Sequence, residues 1–128
     1  MRHCLLLTFS LTLTVACWAQ KADNDIKFRL AQSYERGGDF ESALKIYTEL
    51  YAKDSTNVVI FDALRRGYLQ LKRYDDVIAL VQRSLARNPN DISLLAQLGT
   101  FYMQKTDELR ANESWVRALA TAPDQEQT

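Results

Sequence analysis

Leu98-Gly99-Thr100-Phe101-Tyr102 follows Leu64-Arg65-Arg66-Gly67-Tyr68 at an interval of 34 residues, and that segment follows Leu30-Ala31-Gln32-Ser33-Tyr34 at the same interval. A fixed period decides the architecture before any local propensity does. The register extends outward, for Ala43, Val77 and Ala111 are 34 apart, as are Tyr47, Val81 and Trp115, and Tyr51, Leu85 and Leu119. Three units are marked without insertion: Asn24–Asn57, Val58–Asp91 and Ile92–Gln125.

Within each unit the apolar residues recur at helical spacing and are interrupted once by a short turn. Ile26, Leu30, Ala31 and Tyr34 share a face before Gly37-Gly38-Asp39, and Ala43, Leu44, Tyr47 and Leu50 share a face after it. Gly37 and Gly38 allow the left-handed backbone that ends one helix, and Asp39 or Phe40 starts the next. The second unit turns at Lys72-Arg73-Tyr74 and the third at Lys105-Thr106-Asp107. Asn88-Pro89-Asn90-Asp91 stops a helix, bars its continuation with a proline and supplies an Asp to cap the next one. A lone helical hairpin cannot bury its apolar stripe, so the expectation is an all-α solenoid of three stacked helix-turn-helix repeats. Leu30 and Tyr34 are expected to face inward, and the 34-residue register assigns Tyr34, Tyr47, Tyr68, Tyr102 and Trp115 to the core rather than to a ligand cage.

This unit resembles the tetratricopeptide repeat (TPR). The third unit carries the resemblance furthest, through Leu98-Gly99, Tyr102, Ala111, Trp115, Ala118 and Pro123. The first matches at Leu30-Ala31, Tyr34, Gly38, Phe40, Ala43 and Tyr47, with Ser55 in place of the proline. The second matches at Leu64, Tyr68, Tyr74 and Pro89, but Arg65 stands where the family has Gly or Ala. The resemblance implies a protein-binding scaffold whose first helices line a concave groove for an extended peptide or a partner helix. With Leu30 and Tyr34 inward, the residues about 160° around the helix are Phe28, Gln32 and Glu35. Their equivalents are Asp62, Arg66 and Leu69, then Ala96, Thr100 and Met103. These mix apolar anchors with polar groups, as a peptide site does; as a plain solvated face, Asp62 and Arg66 would be a helical ion pair. One family subtype clamps a C-terminal carboxylate with Lys, Arg and Asn, but the neighbouring positions here are Asp25, Arg29, Val59, Ala63, Ser93 and Gln97, so that clamp is not expected.

Other functions are disfavoured by composition. At 128 residues the chain is too short for a doubly wound dinucleotide enzyme or an α/β barrel, and 16 basic against 16 acidic residues give no field for nucleic acid. The carboxylate pairs Asp39/Glu41, Asp75/Asp76 and Asp107/Glu108 could suggest glycoside hydrolysis. Each lies at the start of a second helix, where an acid caps free N–H groups. Four glycines with no Gly-rich loop leave nothing to cradle phosphate. Asn112-Glu113-Ser114 is a glycosylation triplet inside an expected helix. No enzyme activity, cofactor or metal is expected.

The first residues carry an address. Arg2 precedes the uncharged, apolar run Cys4–Trp18, and Cys17 and Ala19 are small residues suited to cleavage, so Met1–Ala19 reads as a secretory signal peptide. The run is 15 residues, short of the roughly 20 that span a bilayer. Val15-Ala16-Cys17 also resembles a bacterial lipoprotein signal, which would tether the protein to a membrane by a lipid at Cys17. Either route exports the chain, to a periplasm or cell envelope. His3, Cys4 and Cys17 are the chain's only His and Cys residues, so export removes imidazole, and thiol except at a lipidated Cys17. Two architectures suit such a product: a small adaptor, or the non-catalytic N-terminal part of a longer exported protein. At the other end, Trp115, Ala118 and Leu119 belong to a stripe that packs partly forward in earlier units, and Thr121–Thr128 supply no further helix. Another repeat in a longer chain, end-to-end self-association or a partner helix are the fates expected for that open end. N-terminal sequencing of exported material should start at Gln20, or give a lipid-labelled Cys17; an intact Met1 would refute processing.

Overall fold

A computed structural model describes residues 20–122. Helix α1 spans residues 20–36, followed by α2 (Phe40–Lys53), α3 (Val58–Gln70), α4 (Tyr74–Arg87), α5 (Ile92–Gln104) and α6 (Glu108–Thr121). Among the described residues there is no strand, and no helix is long and apolar enough to cross a membrane. The all-α repeat class expected from the period is the class observed. The signal segment Met1–Ala19 and the closing Pro123 lie outside the described residues.

All three hairpins close by one geometry. Gly38 (φ 81°), Lys72 (φ 55°) and Thr106 (φ 61°), each 34 residues from the next, adopt left-handed backbone. The following amides, of Asp39, Arg73 and Asp107, donate to the carbonyls of Tyr34, Tyr68 and Tyr102 at 2.9, 2.8 and 2.9 Å. The left-handed residues themselves donate to Glu35, Leu69 and Met103 at 3.1, 3.0 and 2.9 Å. This is the paired Schellman closure, which satisfies carbonyls the helix end leaves open. Gly37 does not take a positive φ, and two of the three left-handed positions are not glycine. A residue with a Cβ in that conformation costs roughly 1–2 kcal/mol, and more crowding attends the branched Thr106.

Caps set the helix starts. Asp39 accepts from the Ser42 amide at 3.1 Å, Asp91 from Leu94 at 3.0 Å and Asp107 from Arg110 at 3.2 Å. Asn57 accepts from the amides of Val59 and Ile60. The Ser42 hydrogen bonds hold the Asp39 carboxyl below the usual carboxylate range, as stabilisation of the charged form requires. Helix α4 departs from the expectation. Its N-cap is Arg73 with no side-chain cap, and Asp76 instead accepts from Arg73 Nε at 2.7 Å while Asp75 pairs with Lys105. Asp75 and Asp76 thus complement the positive helix end through charge alone.

The chain divides into two compact units within α3, one ending at Ala63 and the other beginning at Leu64. In the first, Ala31, Ala43, Leu44, Tyr47, Leu50 and Ile60 are buried. Lys27 Nζ donates to Glu49 Oε1 at 2.6 Å and Lys53 Nζ to Asn24 at 3.1 Å, tying α1 to α2. The bond between Lys27 and Glu49 raises the Lys27 pKa and lowers that of Glu49, so the pair contributes between the two titrations and is lost as acid protonates Glu49 or base deprotonates Lys27. Leu30 and Tyr34, expected inward, are exposed, as is Ile26. Residues at this register need a preceding unit to cover them, and none stands among the described residues.

In the second unit Leu64, Tyr68, Leu80, Val81, Leu95, Leu98 and Tyr102 form the core. Arg73 lies 5.2 Å from the Tyr68 ring centre and Arg110 lies 5.6 Å from that of Tyr102. Trp115 turns back onto α5 of its own hairpin, while Leu119 points outward. Thr106→Gly should relieve the left-handed strain and stabilise by about 1 kcal/mol, raising Tm by about 4 °C, whereas Gly38→Ala should lower it by a similar amount. Thermal melts of both variants against the parent measure this.

Candidate partner-binding site

Helix α1 sets the first part of the expected groove. Phe28 is half-buried, and its ring meets that of Tyr47 at a centroid distance of 5.7 Å and a tilt of 55°. Gln32, one turn on, is exposed. Glu35 is half-buried and accepts from the Tyr47 hydroxyl at 2.8 Å, so Tyr47 contacts two of the residues expected to line a groove. Asp62 is half-buried on α3.

Beside Phe28 opens a cleft of about 450 Å³. Phe28, Leu50, Val59 and Ile60 give it apolar lining, and Lys21, Asp25, Lys53 and Asp54 give it charge of both signs. The cleft recruits the C-terminal end of α2, at Leu50, Lys53 and Asp54, which reading first helices alone left out. The repeat register marks Leu50 as core, and no periodic signal distinguishes Lys53 or Asp54. Asp25 and Val59, considered above only for a carboxylate clamp, also line it.

In the second unit Arg66 and Thr100 are exposed, Leu69 and Ala96 are half-buried and Met103 is exposed. Ala96 contributes through its backbone. Its carbonyl accepts both the Trp115 indole N–H at 3.2 Å and the Thr100 hydroxyl at 3.2 Å. The indole lies so close over Gly99 that any Cβ there would collide with its ring. Gly99 therefore permits the close approach of α5 and α6, and Ala96 is a structural member of that contact. Gln97 donates to Ser93 at 3.2 Å, and its Oε1 is buried without a hydrogen-bond partner.

Asp39, Asp75, Asp76 and Asp107 of the acidic pairs are engaged in the caps and ion pairs above. Among the described residues no cluster of His, Cys, Asp and Glu could hold a metal. The Asn112-Glu113-Ser114 triplet lies within α6, with Ser114 buried and bonded to the Arg110 carbonyl at 2.8 Å.

The tetratricopeptide-repeat profile matches residues 34–100, just over half the chain. The chain belongs to the tetratricopeptide repeat family. Over 102 residues it is 26% identical to the probable UDP-N-acetylglucosamine–peptide N-acetylglucosaminyltransferase SEC of Arabidopsis thaliana, a match covering 77% of this chain and 10% of that protein. The chain thus spans about a tenth of that relative's length. The structure is similar to that of a mutant of MamA, with a TM-score of 0.62 and 16% identity over 79% of this chain and 74% of that one. It is similar also to PcrH in complex with the chaperone binding region of PopB, with a TM-score of 0.60 and 18% identity over 82% and 87% of the two chains. These likenesses establish a shared TPR fold, an architecture whose repeats build interaction surfaces and are generally not catalytic. Tyr47→Phe should remove the bond to Glu35 at a cost of about 1 kcal/mol, seen as a lower denaturant midpoint at unchanged m-value.

Proposed function

We propose that this chain is an exported protein-interaction scaffold that holds an extended segment or helix of a partner protein. The observation that carries the reading is the cleft beside Phe28, where Phe28, Leu50, Val59 and Ile60 sit among charges of both signs. Such a recess accepts a bulky apolar anchor and orients the polar groups flanking it. Arg66, Thr100 and Met103 offer further exposed contacts on the second unit's first-helix faces. PcrH, of the same fold, is bound to a region of another protein, which supports a segment-binding role for this architecture.

The destination proposed is a bacterial periplasm or cell envelope, reached through the Met1–Ala19 signal or a lipid at Cys17. A second reading has one observation in its favour: the curated relative is about ten times longer than the matched stretch, so the repeats could serve within a longer exported protein. Immunoblotting the native protein for its mass separates an adaptor from such an assembly.

Binding and folding should separate on neighbouring residues of α3. Leu64 is buried and Arg66 exposed. Leu64→Ala should cost about 2–5 kcal/mol of stability. Arg66→Glu should leave the protein folded and weaken binding of a partner isolated by crosslinking from native envelopes by about tenfold. A partner held equally by parent and Arg66→Glu protein would remove Arg66 from the site.

A further inference from the structure

The repeat register allows each exposed apolar residue to be compared with its equivalents. On α1, Ile26, Leu30 and Tyr34 are 67%, 47% and 38% exposed, whereas Leu98 and Tyr102, at the registers of Leu30 and Tyr34, are 4% and 6% exposed. On α6, Leu109, Val116 and Leu119 are 71%, 63% and 76% exposed, whereas Leu85, at the register of Leu119, is 7% exposed. Leu85 lies on α4 and Leu98 and Tyr102 on α5, two helices that pack on each other. The outward faces of α6 and α1 are therefore the register equivalents of the two halves of the α4–α5 junction.

Their chemistry has changed together. Across the α4–α5 junction Gln82 donates to the Tyr102 hydroxyl at 2.9 Å, and Asp75 pairs with Lys105. On α6 the positions of Gln82 and Asp75 hold Val116 and Leu109. On the α1 hairpin the position of Lys105 holds Gly37, so a leucine replaces the acid just where the opposing cation is missing. The Asp75–Lys105 pair lies exposed at the rim of the α4–α5 junction, and the equivalent rim between α6 and the α1 hairpin would bring an apolar side chain against a glycine instead of an ion pair.

We propose that the α6 face of one copy docks on the α1 face of a second copy, so that the protein self-associates head to tail by repeating its own α4–α5 junction. Such a contact is heterologous and does not close on itself, so growth continues past the dimer. This surface is separate from the cleft beside Phe28 and stands or falls independently of partner binding there.

Sedimentation equilibrium of the full chain tests it, with average mass rising beyond twice the monomer as concentration approaches about 0.5 mM. Leu119→Glu and Leu30→Glu, each at an exposed position, should separately be monomeric with unchanged helicity. Mixed in equal amounts they should form a one-to-one dimer and nothing larger, because each retains the face the other has lost. The pair Val116→Glu and Tyr34→Lys should repeat that pattern. A monomer at every concentration overturns the proposal. So does self-dimerisation of Leu30→Glu, which would mean α6 pairing with α6, or of Leu119→Glu, which would mean α1 pairing with α1. Association of both variants like the parent would trace it to other residues, those of the first 19 included, and would overturn the proposal equally.

Discussion

A hairpin of two helices, 13 or 14 residues each in the later units, carries more apolar surface than its own two faces can cover. Each unit must therefore be finished by a neighbour, and most of this structure follows from that dependence. The demand falls on fixed positions, because the 34-residue period places Leu and Tyr at the same points of every first helix. Where α4 and α5 meet, Leu98 and Tyr102 are sealed; at α1 the same residue types stand open. The sequence motif is thus a statement about what a residue needs, and the neighbour decides whether it is met.

The period also explains which parts of the fold could be read from sequence. Helix positions, hairpin turns and the interunit cap at Asp91 repeat or carry their own local chemistry, and they are observed where the pattern places them; the matching cap at Asn57 is seen only in the structure. Burial of Leu30 and Tyr34 was not legible, because residue identity reports an interface without reporting its occupant. The left-handed turn residues were legible only at Gly38, whose lack of a side chain announces a positive φ. Lys72 and Thr106 adopt the same backbone because the packed helices on either side impose it. No local preference of Lys or Thr would have revealed that.

The candidate site divides along the same line. Phe28 was reached by rotating around α1 from Leu30 and Tyr34, but those two are the exposed residues, and Phe28 lies on the half-buried side of the helix with Ala31. The cleft's remaining wall, at Leu50, Lys53 and Asp54, comes from the end of α2 and the chain leading to α3, and depends on how three segments converge. Ala96 shows a different limit. It occupies a groove register, yet its carbonyl serves the Trp115 indole, and only the folded geometry discloses a backbone role. Glu35 likewise is half-buried and held by Tyr47, and it does not line the cleft.

Trp115 and Gly99 show how a repeat keeps its geometry while its side chains vary. The first unit places Tyr47 and Ala31 at these positions and the second places Val81 and Arg65. In the third, the largest side chain stands against the smallest residue, with an indole hydrogen bond that neither Tyr nor Val could make in that form. Close packing requires volume to be conserved across a contact rather than at each position. Arg65, half-buried where Gly99 admits an indole, cannot accommodate so large a partner, and the small Val81 stands at the Trp115 register of that unit. The departure of Arg65 from the family pattern is thus matched by a change at its register partner, which lets a repeat lose a consensus residue and remain a repeat.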